Sequence, residues 1–193
     1  MPVEPRITSV NVLHTLGPTP KTVRQTAIDK RPVPGNVAVG TLGLAGDRQM
    51  DTKHHGGPTQ AVYAYAAEDL AWWSGELERD MPPGFFGENL TTAGIALGSC
   101  VQGEQWRVGD EEDAQHVVLQ VTDARIPCAT FAYRMQVRGW LRRFADHGES
   151  GTYLAVVKPG VLRAGAPVTV VQVPDHGETI RDQFARVMGR ADR

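Results

Sequence analysis

The sequence is dominated by short runs of alternating, often β-branched residues that are separated by turns. Clear runs lie at 7–14 (ITSVNVLH), 116–121 (HVVLQV), 152–157 and 167–173. Such runs predict strands, because successive side chains of a strand face opposite sides of a sheet. The 21 glycines and 13 prolines are scattered along the chain, which is typical of many turns between strands. The alternation of strands and helices expected of a doubly wound fold is absent. The pattern therefore predicts a mainly β protein, built as a barrel or a strongly bent sheet.

Helical spacing of apolar residues is confined to a few segments. Residues 68–79 and 129–144 predict two helices, and residues 177–188 predict a last, peripheral one. We expect a β domain over residues 1–175 and a C-terminal helical tail over residues 176–193, interpreted as the remnant of a further helical domain.

Charge and cysteine content limit the class of protein. Lysine and arginine number 20 and aspartate and glutamate 22, so a net charge of −2 gives no reason to expect nucleic-acid or membrane binding. No apolar run approaches the roughly 20 residues that cross a bilayer, and the N-terminus lacks a secretory pattern. Two cysteines do not form a disulfide scaffold. We therefore expect a cytoplasmic protein with free thiols, and a Cys100–Cys128 bridge stays an open alternative. An exposed strand edge would support a homodimer.

The first candidate motif is the polar segment GLAGDRQMDTKHHGG at 43–57. Glycines allow a backbone to approach a ligand and to direct N–H groups at an anion, and basic side chains add charged hydrogen bonds. The alternative is a solvated loop with a chance cluster of charges. The candidate residues of this segment are Asp47, Arg48, Lys53, His55, Gly56 and Gly57.

The second and third motifs surround Cys128 and Glu88. Cys128 follows a proline and opens a predicted helix, and Arg125 precedes it, so both features would lower the pKa of the thiol. The alternative is a small buried apolar residue. Glu88 and Asn89, in FGENLTT, lie in a glycine-flanked segment where they would contact a ligand or serve only the turn. The adjacent histidines lack the spacing of a zinc site.

In their order along the chain, these motifs resemble the MOSC domain, named after the C-terminal part of molybdenum cofactor sulfurases. The residues that carry the resemblance are GLAGD at 43–47, HHGGPTQAVYAY at 54–65, FGENLTT at 86–92, GDEE at 109–112 and QVTDARIPCATF at 120–131. The likeness spans about residues 5–175 and is strongest to small bacterial proteins that detoxify N-hydroxylated base analogues such as 6-hydroxylaminopurine. Where those proteins read PR-x-PC, this chain reads ARIPC.

The resemblance implies a MOSC-type β-barrel with a few peripheral helices that binds the molybdenum cofactor, a molybdopterin. It implies that Cys128 ligates the metal and that His55 and Asp47 belong to the catalytic residues. It further implies a cofactor-binding set of Arg48, Lys53, Gly56, Gly57, Glu88, Asn89 and Arg125. Pyridoxal phosphate, which is mentioned for the family, is expected only in fused partner domains.

We consider four functions, of which the first two depend on what the resemblance implies. The first is molybdenum-dependent reduction of an N-hydroxylated small molecule, with a flavin or iron–sulfur reductase as electron donor. The second is a sulfur carrier that receives persulfide sulfur on Cys128 from a cysteine desulfurase. The third is a non-catalytic barrel that binds an anion. The fourth, a hydrolase with His55 as the base for Cys128, lacks an orienting third residue.

Overall fold

The computed structural model describes residues 3–20, 25–50 and 56–190 of the chain. Eleven strands and four helices form in this part of the chain, and no helix in it is long and apolar enough to cross a membrane. The strands are β1 (Arg6–Pro18), β2 (Gln25–Pro32), β3 (Val37–Gly40), β4 (Gly43–Leu44), β5 (Val62–Ala66), β6 (Leu90–Ala93), β7 (Gln105–Val108), β8 (Val117–Ala124), β9 (Thr152–Lys158), β10 (Gly160–Leu162) and β11 (Val168–Gln172). The helices are α1 (Ala67–Leu77), α2 (Ala129–Met135), α3 (Trp140–His147) and α4 (Ile180–Val187).

Eight strands form one mixed sheet in the order β11-β7-β8-β9-β5-β6-β1-β2, and β10-β3-β4 form a second, small sheet. All neighbours in the large sheet are antiparallel except β5 and β6, which are parallel. The prediction of a mainly β fold is therefore confirmed.

The large sheet is not closed into a barrel, which corrects part of the prediction. The segment just before β11, an edge strand, meets β1, the second strand from the opposite edge, at one isolated bridge between Pro167 and Arg6. Proline has no N–H to donate, and the second half of β1 turns away to pair with β2 from Asn11 onward. Backbone hydrogen bonds flank this bridge, among them that from the N–H of Ile7 to the carbonyl of Ala166 at 2.9 Å, but β1 and β11 are not joined as neighbouring strands of the sheet.

The helical segment predicted over residues 129–144 is two helices rather than one. The chain adopts left-handed backbone angles at Gln136 (φ 53°) and Gly139 (φ 71°), which end α2 and begin α3. The two helices pack against each other across this break, with the ring centres of Phe131 of α2 and Trp140 of α3 5.2 Å apart.

An aromatic cluster fills the space between these helices and the sheet. Trp73, Phe86, Phe131, Trp140 and Phe144 are each at most 1% exposed. The ring centres of Trp73 and Trp140 are 4.6 Å apart, and those of Phe131 and Phe144 are 5.1 Å apart. Burying such large rings contributes much of the stability of a core, and this cluster forms the support behind the site described below.

The last helix packs onto the sheet domain. Ile180 and Phe184 of α4 are at most 1% exposed, and the backbone N–H of Ile180 donates to the carbonyl of Cys100. The division between residues 1–175 and 176–193 stays a prediction.

Candidate active site

A cavity of about 340 Å³ lies between β2, the segment before β5 and the start of α2. Segments far apart in the sequence supply its polar lining, which includes Lys30, Asp47, Arg48, Asn89, Arg125, Cys128, Tyr63 and Tyr153. Five of the predicted site residues thus share one cavity: Asp47, Arg48, Asn89, Arg125 and Cys128.

Cys128, the residue that directly precedes α2, is half-buried and faces this cavity. Its backbone is extended (φ −125°, ψ 172°), and its side chain makes no capping hydrogen bond to the helix. Both cysteines are free, so the structure contains no Cys100–Cys128 bridge. Cys100 lies elsewhere, where burial raises the pKa of its thiol to about 12. The two thiols therefore form a natural pair of test residue and control.

Arg125 is a nearly buried cation inside the cavity. It is 5% exposed, and its guanidinium carbon lies 3.6 Å from the ring centre of Phe131 and 5.5 Å from that of Tyr63. Within the described ranges it forms no ion pair, and its Nη1 has no hydrogen-bond acceptor. Aromatic rings offset only part of the cost of burying a cation. The position therefore favours an anion in the cavity.

Tyr153 and Tyr63 form the wall beside Arg125. Burial raises the pKa of Tyr153, while Arg125, which hydrogen-bonds to it, opposes the rise. The Tyr63 hydroxyl donates to the carbonyl of Ser150 at 2.8 Å, and its ring centre lies 5.3 Å from that of Tyr153. Both phenols are therefore neutral near pH 7, and the wall carries no negative charge of its own.

Asp47 is held by three donors on the other side of the cavity. Lys30 forms an ion pair with it, the side-chain amide of Asn89 donates to Oδ2 at 2.7 Å, and the N–H of Leu13 donates to Oδ1 at 3.1 Å. Burial lowers the pKa of Lys30, whereas Asp47 raises it. The carboxylate therefore serves to hold a buried lysine in the cavity.

Asn89 connects this side of the cavity to the sheet. Its side-chain oxygen accepts from the N–H of Tyr63 at 3.1 Å, and its side-chain amide also donates to the carbonyl of Asn11 at 3.3 Å. Because the side-chain oxygen and nitrogen of Asn89 both form hydrogen bonds to the backbone, this residue is held in place and fixes the position of Asp47.

Glu88 does not line the cavity. It is fully buried and accepts hydrogen bonds from the N–H groups of Gly84 (2.5 Å) and Phe86 (3.1 Å) and from the hydroxyl of Thr91 (3.0 Å). Burial raises the pKa of its carboxyl to about 7. Glu88 thus shapes the turn that carries the next residue, Asn89, into place.

The glycine pair lies beside the cavity, with its N–H groups already engaged. The N–H of Gly56 donates to the side chain of Gln60 at 3.1 Å, and that of Gly57 donates to the side chain of Gln49 at 2.8 Å. Both glutamines line the cavity. Arg48 is exposed at its rim. The predicted residues Lys53 and His55 lie outside the described residues.

Sequence reasoning missed three lining residues: Lys30, Tyr63 and Tyr153. Lys30 lies in an ordinary strand, and nothing near it in the sequence marks a site. Tyr63 lies within the quoted segment at 54–65, and that likeness was its only available signal.

A thiol and a buried guanidinium with no carboxylate partner among the described residues thus share one cavity in a mainly β protein, and a match to a family model identifies the class. The model of the MOSC domain matches residues 51–169, and the chain belongs to this family, a molybdenum cofactor sulfurase-type domain. Among individual proteins, the chain is similar to YflK of Bacillus subtilis (32% identity over 83% of this chain and 69% of YflK) and to YiiM of Escherichia coli (32% over 77% and 65%).

The solved structure of YiiM from Geobacillus stearothermophilus has the same fold. It superimposes with a TM-score of 0.77 at 26% identity, over 98% of this chain and 86% of that chain. A protein of Gibberella moniliformis named Reductase is 28% identical over 77% of this chain, but the match spans only 26% of the fungal protein. The chain therefore spans about two thirds of its bacterial relatives and about a quarter of the fungal one.

Proposed function

We propose that this chain binds the molybdenum cofactor in the cavity and reduces N-hydroxylated small molecules, base analogues among them, with electrons from an external reductase. The observation that carries the proposal is that an accessible thiol, Cys128, and an uncompensated buried cation, Arg125, face the same cavity.

The residues fit the cofactor on two chemical grounds. A thiolate is a suitable ligand for a soft or redox-active metal, so Cys128 would ligate the molybdenum. The pterin carries a phosphate, which supplies the anion that Arg125 lacks, and Lys30 and Arg48 add positive charge around it. Lys53, His55, Gly56 and Gly57 are assigned to the same site by their place in the family motif.

When bound, the cofactor supplies the two-electron chemistry that removes oxygen from the substrate. The overall change converts R–NHOH, two electrons and two protons into R–NH₂ and water. Among the described lining residues, Lys30 and Tyr153 carry protons inside the cavity, whereas the hydroxyl proton of Tyr63 is already donated to the carbonyl of Ser150. Asp47 holds the Lys30 ammonium in place, and Tyr63 and Tyr153 exclude water from that side. A proton delivered to the leaving hydroxyl would then come from these groups.

The experiment is to produce the chain in a host that makes the cofactor and to measure bound molybdenum, pterin fluorescence and reduction of 6-hydroxylaminopurine with dithionite. We expect near-stoichiometric molybdenum in the wild type and in Cys100→Ser, and loss of metal and activity in Cys128→Ser. Less than about a tenth of an equivalent, unchanged by Cys128→Ser, would show that the cavity is not a molybdenum site.

A sulfur carrier is the second candidate, favoured by the free thiol facing a cavity. It predicts a reducible adduct of about 32 Da on Cys128 after incubation with a cysteine desulfurase and cysteine. A chain that only binds an anion predicts instead that Cys128→Ser keeps full activity in cells.

A further inference from the structure

Helix α4 reaches the segment that carries Arg125 and Cys128. The side-chain oxygen of Gln183 in α4 accepts a hydrogen bond from the N–H of Ala124 at 2.5 Å, and its side-chain nitrogen donates to Oδ1 of Asp123 at 3.1 Å. Ala124 is the last residue of β8, and Arg125 follows it directly. One side chain of α4 therefore holds the end of the strand from which the site segment leaves.

The site segment, residues 125–128, depends on how its two ends are held. The pairing of β8 with β9 shifts register between Val121 and Ala124, and irregularities of this kind redirect the side chains that follow. The segment itself forms neither helix nor strand before α2 begins. At its far end, the carbonyl of Cys128 accepts from the N–H of Ala132 at 3.0 Å. At its near end, the structure provides the contact with Gln183.

Helix α4 also reaches Arg125 through the aromatic cluster. Phe184 is 1% exposed, and its ring centre lies 5.9 Å from that of Phe144. The ring centre of Phe144 in turn lies 5.8 Å from the guanidinium carbon of Arg125. The match to the family model ends at residue 169, so α4 lies outside the matched region. A helix beyond that region therefore supports the site from two sides.

The two contacts of Gln183 require both a donor and an acceptor on one side chain. A backbone N–H can only donate and an ionised carboxylate can only accept, so the two partners fix the orientation of the amide. A glutamate at this position would keep an acceptor for Ala124 but would place a second carboxylate beside Asp123. The amide is thus matched to the end of β8 in a way that a single substitution can reverse.

We propose that Gln183 is a positioning residue of the site, which holds the end of β8 so that Arg125 and Cys128 take the geometry that binds the cofactor. The inference rests on the proposed function for the roles of these two residues. Hydrogen bonds that orient the ligands of a metal typically contribute roughly 10- to 100-fold to metal affinity or activity. Because Gln183 acts through the backbone, we expect an effect of about tenfold, at the lower end of that range.

The test compares the wild type with three variants. Gln183→Glu keeps an acceptor for the N–H of Ala124 but sets a carboxylate against Asp123. Adding Asp123→Asn to that chain supplies a donor again, so the double variant should restore the contact. Thr179→Ala removes the N-cap of α4, where the hydroxyl accepts from the N–H of Asp182 at 3.1 Å, and controls for a general weakening of the helix.

The first readout is alkylation of the two thiols by iodoacetamide in the unloaded chain. We expect Cys128 to react about fivefold faster in Gln183→Glu, as the loss of a hydrogen bond frees the segment. The double variant and Thr179→Ala should react as the wild type does. Cys100, whose carbonyl accepts from the N–H of Ile180 at the start of α4, should stay unreactive in every variant. Reaction of Cys100 in Gln183→Glu would show that the whole helix has detached and would overturn the positioning role.

The second readout is the rate at which molybdenum is lost during dialysis of the cofactor-loaded proteins. It should rise about tenfold in Gln183→Glu and return to the wild-type rate in the double variant. Equal alkylation of Cys128 in the wild type and Gln183→Glu would overturn the proposal. So would an equal change in Thr179→Ala, or a double variant that restores nothing. A wild type without molybdenum would instead refute the proposed function, and the alkylation rates, measured without cofactor, would still decide the role of Gln183.

Discussion

Replacing the buried Glu88 by glutamine should change how the stability of the protein depends on pH. The Glu88 carboxylate accepts three hydrogen bonds but is fully buried, and burial raises its pKa from 4.5 to about 7. Between these two values the folded protein holds a proton that the unfolded chain has released. The free energy of unfolding of the wild type therefore falls as the pH rises from about 4.5 to about 7, and Glu88 makes no further change above that window.

The size of the effect follows from the two pKa values. A difference of about 2.5 pKa units corresponds to about 3 kcal/mol, because each unit is worth about 1.4 kcal/mol. Glutamine does not titrate, so the stability of Glu88→Gln lacks this contribution. The difference in unfolding free energy, wild type minus variant, should fall by about 3 kcal/mol between pH 4.5 and 7.5.

Urea denaturation at intervals of pH, followed by circular dichroism, measures this difference directly. Other titrating groups contribute equally to both proteins and cancel. Glu112→Gln, at an exposed site, controls for the loss of a carboxylate. A difference between wild type and Glu88→Gln that stays constant across the window would show that Glu88 is ionised throughout, and the reasoning from burial would be wrong.

Three further substitutions test the site by urea denaturation. Asp47→Asn leaves Lys30 buried without its partner and should lower the free energy of unfolding by about 3 kcal/mol. Adding Lys30→Met to the same chain should restore most of this loss, and no restoration would refute the pairing. Arg125→Met removes an unpaired buried cation, so the unloaded chain should keep its stability within about 1 kcal/mol; a loss above about 3 kcal/mol would contradict this. Gly84→Ala places a Cβ 2.5 Å from the carbonyl oxygen of Lys30 at φ +85° and should cost at least about 2 kcal/mol. Gly35→Ala, at φ +76° with open space, should cost only about 1 kcal/mol; equal costs would refute the clash.

Local sequence patterns were enough to predict most elements. The alternating runs correspond to β1, β8, β9 and β11, and the segment 68–79 corresponds to α1. The break between α2 and α3 was missed because Gln136 adopts left-handed angles, which apolar spacing does not reveal. The open sheet was missed because closure depends on the register of distant strands rather than on any local pattern.

The site was predictable where a motif keeps its residues close in sequence. Arg125 and Cys128 lie three residues apart and share the cavity. Asp47 and Asn89 are 42 residues apart and still meet, as expected only from the family likeness. The family likeness placed Glu88 among the cofactor-binding residues, whereas in the structure its carboxylate accepts hydrogen bonds from the backbone of the turn at Gly84 and Phe86. Lys30 and Tyr153 were out of reach because lone residues on strands become site residues only through tertiary packing.

The most direct measurement of the central claim is alkylation of the two thiols by iodoacetamide with and without cofactor. Mass spectrometry of the unloaded chain should show modification of Cys128, and little of Cys100, whose thiol is buried with its pKa raised to about 12. In the cofactor-loaded chain, Cys128 should be protected because its sulfur is bound inside the cavity. Alkylation of Cys128 at the same rate in both preparations would contradict the account.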